Sequence, residues 1–178
     1  MKSNPNPIPS SNRRGKEADA RLNSEGRIAG PADAKPTAHR RILLVDDDAG
    51  VRGSLSNVLV SEGYVLIPAI DGQQAIELAA SMSVDLVLLD LNMPRKNGWD
   101  TFERLSADHP FLPVIIVTAR PNQLFTAVGA GVGALLEKPL DIPTLLRTIK
   151  QLLAESASTR LARLAGRETE FHYSAARI

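Results

Sequence analysis

Residues 84–98 read VDLVLLDLNMPRKNG, and this segment indicates the architecture more directly than any other part of the chain. Its apolar half, residues 84–89, is typical of a buried strand. The Met-Pro and Asn-Gly pairs that follow favour turns. Asp90 therefore stands at the carboxyl end of a predicted strand, the edge at which open α/β sheets bind their ligands. Taken alone, this position is equally consistent with an aspartate that caps a turn.

On both sides of this stretch, residues 40–155 alternate short apolar runs with segments of helical period, which is the pattern of parallel βα units. Five strands are predicted, at residues 42–45, 65–68, 86–89, 114–117 and 134–136. Five helices are predicted to follow them, at residues 51–61, 73–80, 99–107, 123–128 and 143–154. The pattern predicts an α/β domain built on a parallel sheet.

The two ends of the chain differ from this central domain. Residues 1–39 are rich in Pro, Ser, Asn and Gly and contain few large apolar side chains, so they are predicted to be a disordered extension. Residues 156–178 carry leucines and arginines at loosely helical spacing. A continued helix, a partner-binding segment and a frayed, partly helical or disordered tail all remain open for them.

Composition excludes several classes of function. The chain has 178 residues and 43% hydrophobic residues, enough for one core. Its net charge of +1 is not the strongly basic charge that nucleic-acid-binding domains usually carry. The absence of cysteine removes disulfides, thiolate catalysis and Cys-based zinc sites. No secretion signal or membrane-spanning run is found, so we expect a soluble, cytoplasmic protein that does not contact membranes.

Acidic side chains end the first predicted strand as well as the third. Asp46, Asp47 and Asp48 follow residues 42–45. The carboxyl ends of parallel strands share one edge of the sheet, so Asp46 and Asp47 are expected to face Asp90. Two carboxylates about 4 Å apart repel by roughly 4 kcal/mol at an effective dielectric constant of 20. Mg²⁺, which prefers oxygen ligands and phosphate, would relieve this repulsion.

Two further polar side chains close the remaining strands. Thr118 follows the fourth strand and can donate its hydroxyl to an oxyanion, and Lys138 follows the fifth and can do the same with its ammonium. Each is weak evidence alone, because a threonine at a strand end is usually structural and a single lysine is usually solvated.

Taken together in order and spacing, these features resemble the receiver domain of two-component response regulators. The resemblance covers residues 40–154. It rests on the segments ILLVDD at 42–47, DLNMP at 90–94 with Gly98, VTA at 117–119, and KP at 138–139. It implies a flavodoxin-like, doubly wound, five-stranded parallel sheet in the order 2-1-3-4-5, with helices on both faces.

The resemblance also implies a role for each acidic residue. Asp90 would be the phosphoacceptor. Asp47 would bind Mg²⁺ directly, Asp46 would bind it through water, and Asn92 would contribute its backbone carbonyl. Asp90 would contact the same ion.

By the same resemblance, Thr118 and Lys138 would bind the phosphoryl group, and the peptide bond before Pro139 would be cis. The family usually carries Tyr or Phe three residues before the lysine, as part of its conformational switch. Here Leu135 occupies that position, so the aromatic half of the switch is missing. The short interval from Thr118 to Lys138 further predicts a trimmed fourth helix.

The implied function is that of a single-domain response regulator rather than an enzyme. A sensor histidine kinase or a histidine phosphotransfer protein would donate the phosphoryl group in a Mg²⁺-dependent reaction. The output would be contact with an unknown downstream protein, homodimer formation, or onward phosphoryl transfer. Direct binding of nucleic acid is not expected.

Two other interpretations stay open. Haloacid-dehalogenase-like phosphatases share an Asp-x-Asp, Thr, Lys order, which would make Asp46 a nucleophile and Asp48 its acid/base. That interpretation leaves the segment around Asp90 unused. A receiver-like scaffold that is never phosphorylated is the other alternative, and the substitution at Leu135 is compatible with it.

Overall fold

A computed structural model of the chain describes residues 40–93, 98–120, 122–167 and 169–176. The extension predicted for residues 1–39 and the turn predicted at residues 94–97 lie outside these ranges. The described residues form one parallel sheet in the order β2-β1-β3-β4-β5-β6. Its strands are β1 (Arg41–Val45), β2 (Val65–Ala69), β3 (Leu86–Asp90), β4 (Val114–Thr118), β5 (Ala134–Glu137) and β6 (His172–Ser174).

Within the described ranges, six helices connect or follow these strands. They are α1 (Ala49–Ser61), α2 (Gly72–Ser81), α3 (Gly98–Asp108), α4 (Leu124–Gly129), α5 (Ile142–Ala154) and α6 (Ala157–Leu164). Side-chain oxygens accept hydrogen bonds from backbone N–H groups at the start of four of them and so satisfy donors that the helix leaves unpaired. The residues that supply these caps are Asp48, Asp71, Asp141 and Ser156. None of the helices in the described ranges has both the length and the apolar character needed to cross a bilayer.

The predicted sheet order is confirmed for the first five strands, and each of these strands begins and ends within one residue of its prediction. The trimmed fourth helix is also observed, because α4 has only six residues. The first five helices agree with their predictions to within two residues.

The prediction of five strands is wrong by one. Residues 172–174 form β6, which pairs in parallel with β5 and extends the sheet beyond the predicted edge. α6 precedes β6 in the chain and occupies the first part of residues 156–178, for which both a helix and a frayed tail were considered. A three-residue strand has no apolar periodicity of its own. Its conformation depends on the exposed hydrogen-bonding edge of β5, which is invisible in the local sequence.

The core lies on both faces of the sheet, because alternate residues of each buried strand point in opposite directions. On β1, Leu43 and Val45 belong to one cluster, whereas Ile42 and Leu44 belong to the other. The first cluster packs against α2, α3 and α4 through Ala75, Ala79, Phe102, Leu105 and Ala127. The second packs against α1 and α5 through Leu55, Leu59, Leu145, Ile149 and Leu152. The fold is therefore doubly wound, and it leaves the carboxyl edge of the sheet open for chemistry.

Candidate functional site

Asp90 is the last residue of β3, and its side chain is only 4% exposed. The backbone N–H of Asn92 donates to Asp90 Oδ1 at 2.9 Å, which holds the carboxylate in one orientation. Gly98 makes this arrangement possible. A Cβ at that position would lie 2.6 Å from the Cα of Leu91 and 2.7 Å from the backbone oxygen of Asp90. Only glycine allows the start of α3 to approach the end of β3 so closely.

The end of β1 brings a second buried carboxylate to the same edge. Asp46 is 2% exposed, and its Oδ1 accepts from the backbone N–H of Asp48 at 2.9 Å. The Arg52 guanidinium donates to the Asp46 backbone oxygen at 2.6 Å, so α1 also fixes this strand end. Asp47, the next residue, has an exposed side chain.

The structure brings Asp46, Asp47 and Asp90 together. Each can offer one carboxylate oxygen such that all three oxygens lie within 4.8 Å of one another. Two of these groups are buried and one faces solvent, so a cation bound by them would be held on the protein side and accessible on its outer side. Hard oxygen ligands of this kind suit Mg²⁺, which also retains several waters. The donor set therefore fits the expected ion, and Asn92 follows Asp90 closely enough in the chain to border the same site.

Lys138 joins the two buried carboxylates. Its Nζ lies 2.8 Å from Asp46 Oδ2 and 2.9 Å from Asp90 Oδ2. Burial by itself disfavours the ammonium. The hydrogen bonds to Asp46 and Asp90, with their negative charges, outweigh that effect and raise the pKa of Lys138 above its ordinary value. The Lys138–Pro139 peptide bond is cis.

Thr118 ends β4 and is fully buried. Its Oγ1 accepts from the backbone N–H of Arg120 at 3.0 Å, which leaves the hydroxyl proton available to another acceptor. The backbone N–H of Lys138 donates to the Thr118 backbone oxygen at 2.8 Å. The ends of β4 and β5 are thus bonded to each other at the residues expected to contact a phosphoryl group.

Arg120 is a member of this site that was not predicted from the sequence. Its Nε donates to Asn92 Oδ1 at 2.7 Å, so its side chain links the loop after β4 to the loop after β3. An arginine two residues after a strand-end threonine carries no recognisable signal, because its partner lies 28 positions away in the chain.

Leu135 is fully buried and packs in the cluster beneath α2, α3 and α4. Its partner in the register of the sheet is Tyr173 on β6. An aromatic residue therefore lies beside the position at which the sequence lacks one, on a strand that the sequence did not predict.

The side chain of Asp48 is exposed, unlike those of Asp46 and Asp90. Its exposed carboxylate caps α1 by accepting from Gly50 N at 2.7 Å and Val51 N at 3.0 Å. These backbone hydrogen bonds, the one from Val51 first, lower the pKa of Asp48. A general acid needs a proton to donate, so this environment opposes the acid/base role that the phosphatase interpretation requires.

A sequence model of the response regulator receiver domain matches residues 42–150. The chain is 42% identical over 118 residues to the transcriptional regulatory protein CpxR of Escherichia coli K12, covering 65% of this chain and 50% of that protein. It is 35% identical over 143 residues to the transcriptional regulatory protein PdtaR of Mycobacterium tuberculosis H37Rv, covering 78% of this chain and 68% of that protein. The chain thus spans about half the length of CpxR.

Among solved structures, the chain resembles the response regulator TrrA of Thermotoga maritima, which was crystallised in complex with Mg²⁺ and BeF. The TM-score is 0.60 and the identity is 27%, over 64% of this chain and 98% of that one. The family match covers more than half of the 178 residues and coincides with the part of the fold that carries the carboxylate site. This chain therefore belongs to the response regulator receiver domain family of two-component signalling proteins.

Proposed function

We propose that this receiver domain accepts a phosphoryl group on Asp90 from a phosphohistidine of a sensor histidine kinase or a histidine phosphotransfer protein. The observation that supports this proposal most directly is the position of the Lys138 ammonium. It contacts both Asp46 and Asp90, and the Asp47 carboxylate lies close to the same two groups. This arrangement supports the proposal, because the transferring group would meet a carboxylate nucleophile, a cation and hard oxygen ligands together.

Asp90, Lys138 and Thr118 each have a separate role in the proposed phosphoryl transfer. A carboxylate oxygen of Asp90 attacks phosphorus as the bond from phosphorus to the donor imidazole nitrogen breaks, and the bonding electron pair stays on that nitrogen. Lys138 stabilises the negative charge on the equatorial phosphoryl oxygens. Thr118, whose hydroxyl proton is available, donates a hydrogen bond to the product. A charge-assisted bond of this kind contributes roughly 1.5 to 3 kcal/mol.

Asp47 and Asp90 would hold Mg²⁺ directly, together with the backbone carbonyl of Asn92, and Asp46 would bind it through water. When bound, the ion supplies positive charge that offsets the charge of the phosphoryl group and of the crowded carboxylates. This assignment is supported by the 4.8 Å clustering of the three carboxylate oxygens.

The phosphorylated domain would signal through protein–protein contact, with a downstream protein or a second copy of the chain as partner. The added group carries about −1.5 to −2 charges and three acceptor oxygens, enough to rearrange the side chains that meet it. The relatives CpxR and PdtaR are transcriptional regulatory proteins. We do not extend DNA binding to this chain, whose net charge is +1.

The test is incubation with Mg²⁺ and a small acyl phosphate, followed by intact-mass measurement of a base-labile adduct. Wild type should form the adduct, and chelation of the metal or Asp90→Asn should abolish it. Asp100→Asn is the matched control, because it removes an exposed carboxylate at the start of α3, a residue with no part in the proposed site.

Other outcomes distinguish the alternatives. An adduct that survives in Asp90→Asn but is lost in Asp46→Asn would support the phosphatase interpretation and overturn ours. Absence of any adduct, with acyl phosphates and with a panel of phosphorylated histidine kinases, would instead support a scaffold that is never phosphorylated.

A further inference from the structure

The last strand of the sheet, β6, contacts β5 through a short backbone pairing and through side-chain hydrogen bonds. β6 contains only three residues, and Ala134, Leu135 and Leu136 of β5 pair with His172, Tyr173 and Ser174. This strand and α6 lie beyond residues 42–150, which the receiver family model matches. A three-residue strand buries little surface and forms few backbone hydrogen bonds with its neighbour. Its attachment to the sheet therefore depends strongly on side-chain contacts.

Glu137 supplies those contacts. Its Oε1 accepts from the Tyr173 hydroxyl at 2.9 Å, and its Oε2 accepts from the backbone N–H of Ala176 at 3.1 Å. One carboxylate therefore binds β6 at Tyr173 and the chain just beyond the strand at Ala176. Hydrogen bonds to a charged acceptor are stronger than those between neutral groups, so Glu137 is the main polar anchor of the strand's far end.

The same residue borders the candidate phosphorylation site. Glu137 immediately precedes Lys138, whose ammonium contacts Asp46 and Asp90. Glu137 also pairs with Thr118 in the register of β4 and β5, and the N–H of Lys138 donates to the Thr118 backbone oxygen. The backbone that holds Glu137 is thus bonded directly to both residues proposed to contact the phosphoryl group.

We propose that the docking of β6 is coupled to the phosphorylation of Asp90 through Glu137, and that phosphorylation loosens the strand. This inference rests on the proposed function. A phosphoryl group on Asp90 displaces the Lys138 ammonium from its present position between two carboxylates and draws the Thr118 hydroxyl toward itself. Because the ends of β4 and β5 are hydrogen-bonded, Glu137 shifts with them and away from its two donors on the C-terminal segment.

Tyr173 is the side chain whose surroundings should change most when Glu137 shifts. It is 43% exposed and lies beside Leu135, on the same face of the sheet, because register partners of parallel strands share a face. Its hydroxyl hydrogen bond to Glu137 restrains the ring. Loss of that contact frees both the ring and the strand, which changes the surface that the edge of the sheet presents to other proteins.

Hydrogen–deuterium exchange tests the coupling on the full chain. The adduct is first confirmed by intact mass, and exchange of the peptide covering residues 171–176 is then compared with and without acyl phosphate and Mg²⁺. We expect exchange to accelerate about five-fold or more, the lower end of typical allosteric couplings. Asp90→Asn should show no acceleration. An adduct with unchanged exchange overturns the coupling and leaves the proposed function intact, whereas failure to form any adduct overturns both.

Thermodynamic coupling between β6 docking and Asp90 phosphorylation must act in both directions, which allows a second test. If phosphorylation loosens β6, a looser β6 must favour the phosphorylated conformation by the same factor. Tyr173→Phe should therefore tighten the binding of Mg²⁺ and beryllofluoride, a phosphoryl mimic, by a few-fold, and Glu137→Gln should act in the same direction. Tyr64→Phe is the matched control, since it removes the hydroxyl of the chain's other tyrosine. Equal affinity in wild type and Tyr173→Phe would contradict the coupling.

Discussion

The Lys138 ammonium lies 2.9 Å from the carboxylate of Asp90, although 48 positions separate the two residues in the chain. Parallel strands explain the approach. β3 and β5 both flank β4, and all three strands end at the same edge of the sheet. The contact places a cation against the proposed nucleophile, and it sets the positive charge of Lys138 against that of any metal ion bound by the same two carboxylates.

This repulsion leads to opposite effects of Lys138→Ala on metal binding and on reaction rate. Loss of the ammonium should tighten Mg²⁺ binding about ten-fold or more. Two like unit charges about 4 Å apart repel by roughly 1 kcal/mol in water and roughly 4 kcal/mol at an effective dielectric constant of 20, and about 1.4 kcal/mol is a ten-fold change in affinity. Phosphorylation by acyl phosphate should nevertheless slow about 10²-fold, the usual cost of removing one group that stabilises transition-state charge. Calorimetric titration and adduct kinetics measure the two effects.

Lys150→Ala is the control for this experiment. That ammonium lies 3.4 Å from Glu62 with about half of its side chain exposed, remote from the candidate site in the fold. Parallel changes in both variants would show that general charge, rather than the position of Lys138, is responsible.

The raised pKa of Lys138 predicts how this effect depends on pH. A cation whose folded-state pKa is raised contributes its full pairing energy below the unfolded value, here 10.5, and loses it only as pH rises through the higher folded value. The difference in Mg²⁺ affinity between wild type and Lys138→Ala should therefore stay constant from about pH 7 to about pH 9. A difference that shrinks across this range would mean that the ammonium already deprotonates there.

Thr118→Val should separate phosphorylation from its consequences. Valine keeps the shape of the buried side chain but removes the hydroxyl that accepts from the Arg120 backbone. Leaving that donor unpaired should cost about 1 to 3 kcal/mol of unfolding free energy. The adduct should still form at Asp90, while its effect on partner binding and on exchange of β6 is reduced.

Thr118→Ser retains the hydroxyl and serves as the control for the valine variant. Denaturant unfolding, intact mass and exchange measurements give the three readouts. If the valine variant responds to phosphorylation as fully as wild type, then Thr118 has no part in transmitting the signal.

Gly98→Ala should damage the site through the backbone. The added methyl group would overlap the Asp90 backbone oxygen and the Cα of Leu91, so the start of α3 must move away from the end of β3. We expect a loss of about 1 to 3 kcal/mol in unfolding free energy, together with slower phosphorylation.

Gly53→Ala provides the matched comparison. This glycine lies within α1, and a Cβ there would meet nothing within 4 Å. Alanine is the better helix former, so this variant should gain about 0.5 to 1 kcal/mol. Similar unfolding midpoints for the two alanine variants would show that the close approach at Gly98 is unimportant.

Glu155→Gln tests what holds α6 in place. Glu155 is largely buried and pairs with Arg163, which is also buried, and its Oε2 lies 3.4 Å from Arg160 Nε. Neutralising the shared carboxylate would leave two guanidinium groups near each other, and breaking a buried pair in this way costs about 3 to 5 kcal/mol. Glu62→Gln, at the exposed pair with Lys150, should cost less than about 1 kcal/mol. Thermal unfolding measures both losses, and equal effects would contradict this account.

Much of the architecture was readable from local sequence. The runs of residues 86–89 and 114–117 are apolar throughout, as expected of strands buried on both faces. In α5, the cap Asp141 and the apolar face that contains Leu145, Ile149 and Leu152 are equally plain in the sequence. The meeting of Asp46, Asp47 and Asp90 also followed from the pattern, because parallel strands place their carboxyl ends at one edge. The roles assigned to these residues remain predictions.

Other features depended on contacts between distant segments. Local sequence carries no sign that the Lys138 ammonium contacts two carboxylates, that Arg120 reaches Asn92, or that Glu137 anchors Tyr173 and Ala176. Periodicity reports how one segment divides its residues between core and solvent. Hydrogen bonds between loops, and a short strand added to a sheet edge, depend on atomic positions that exist only once the segments have packed against each other.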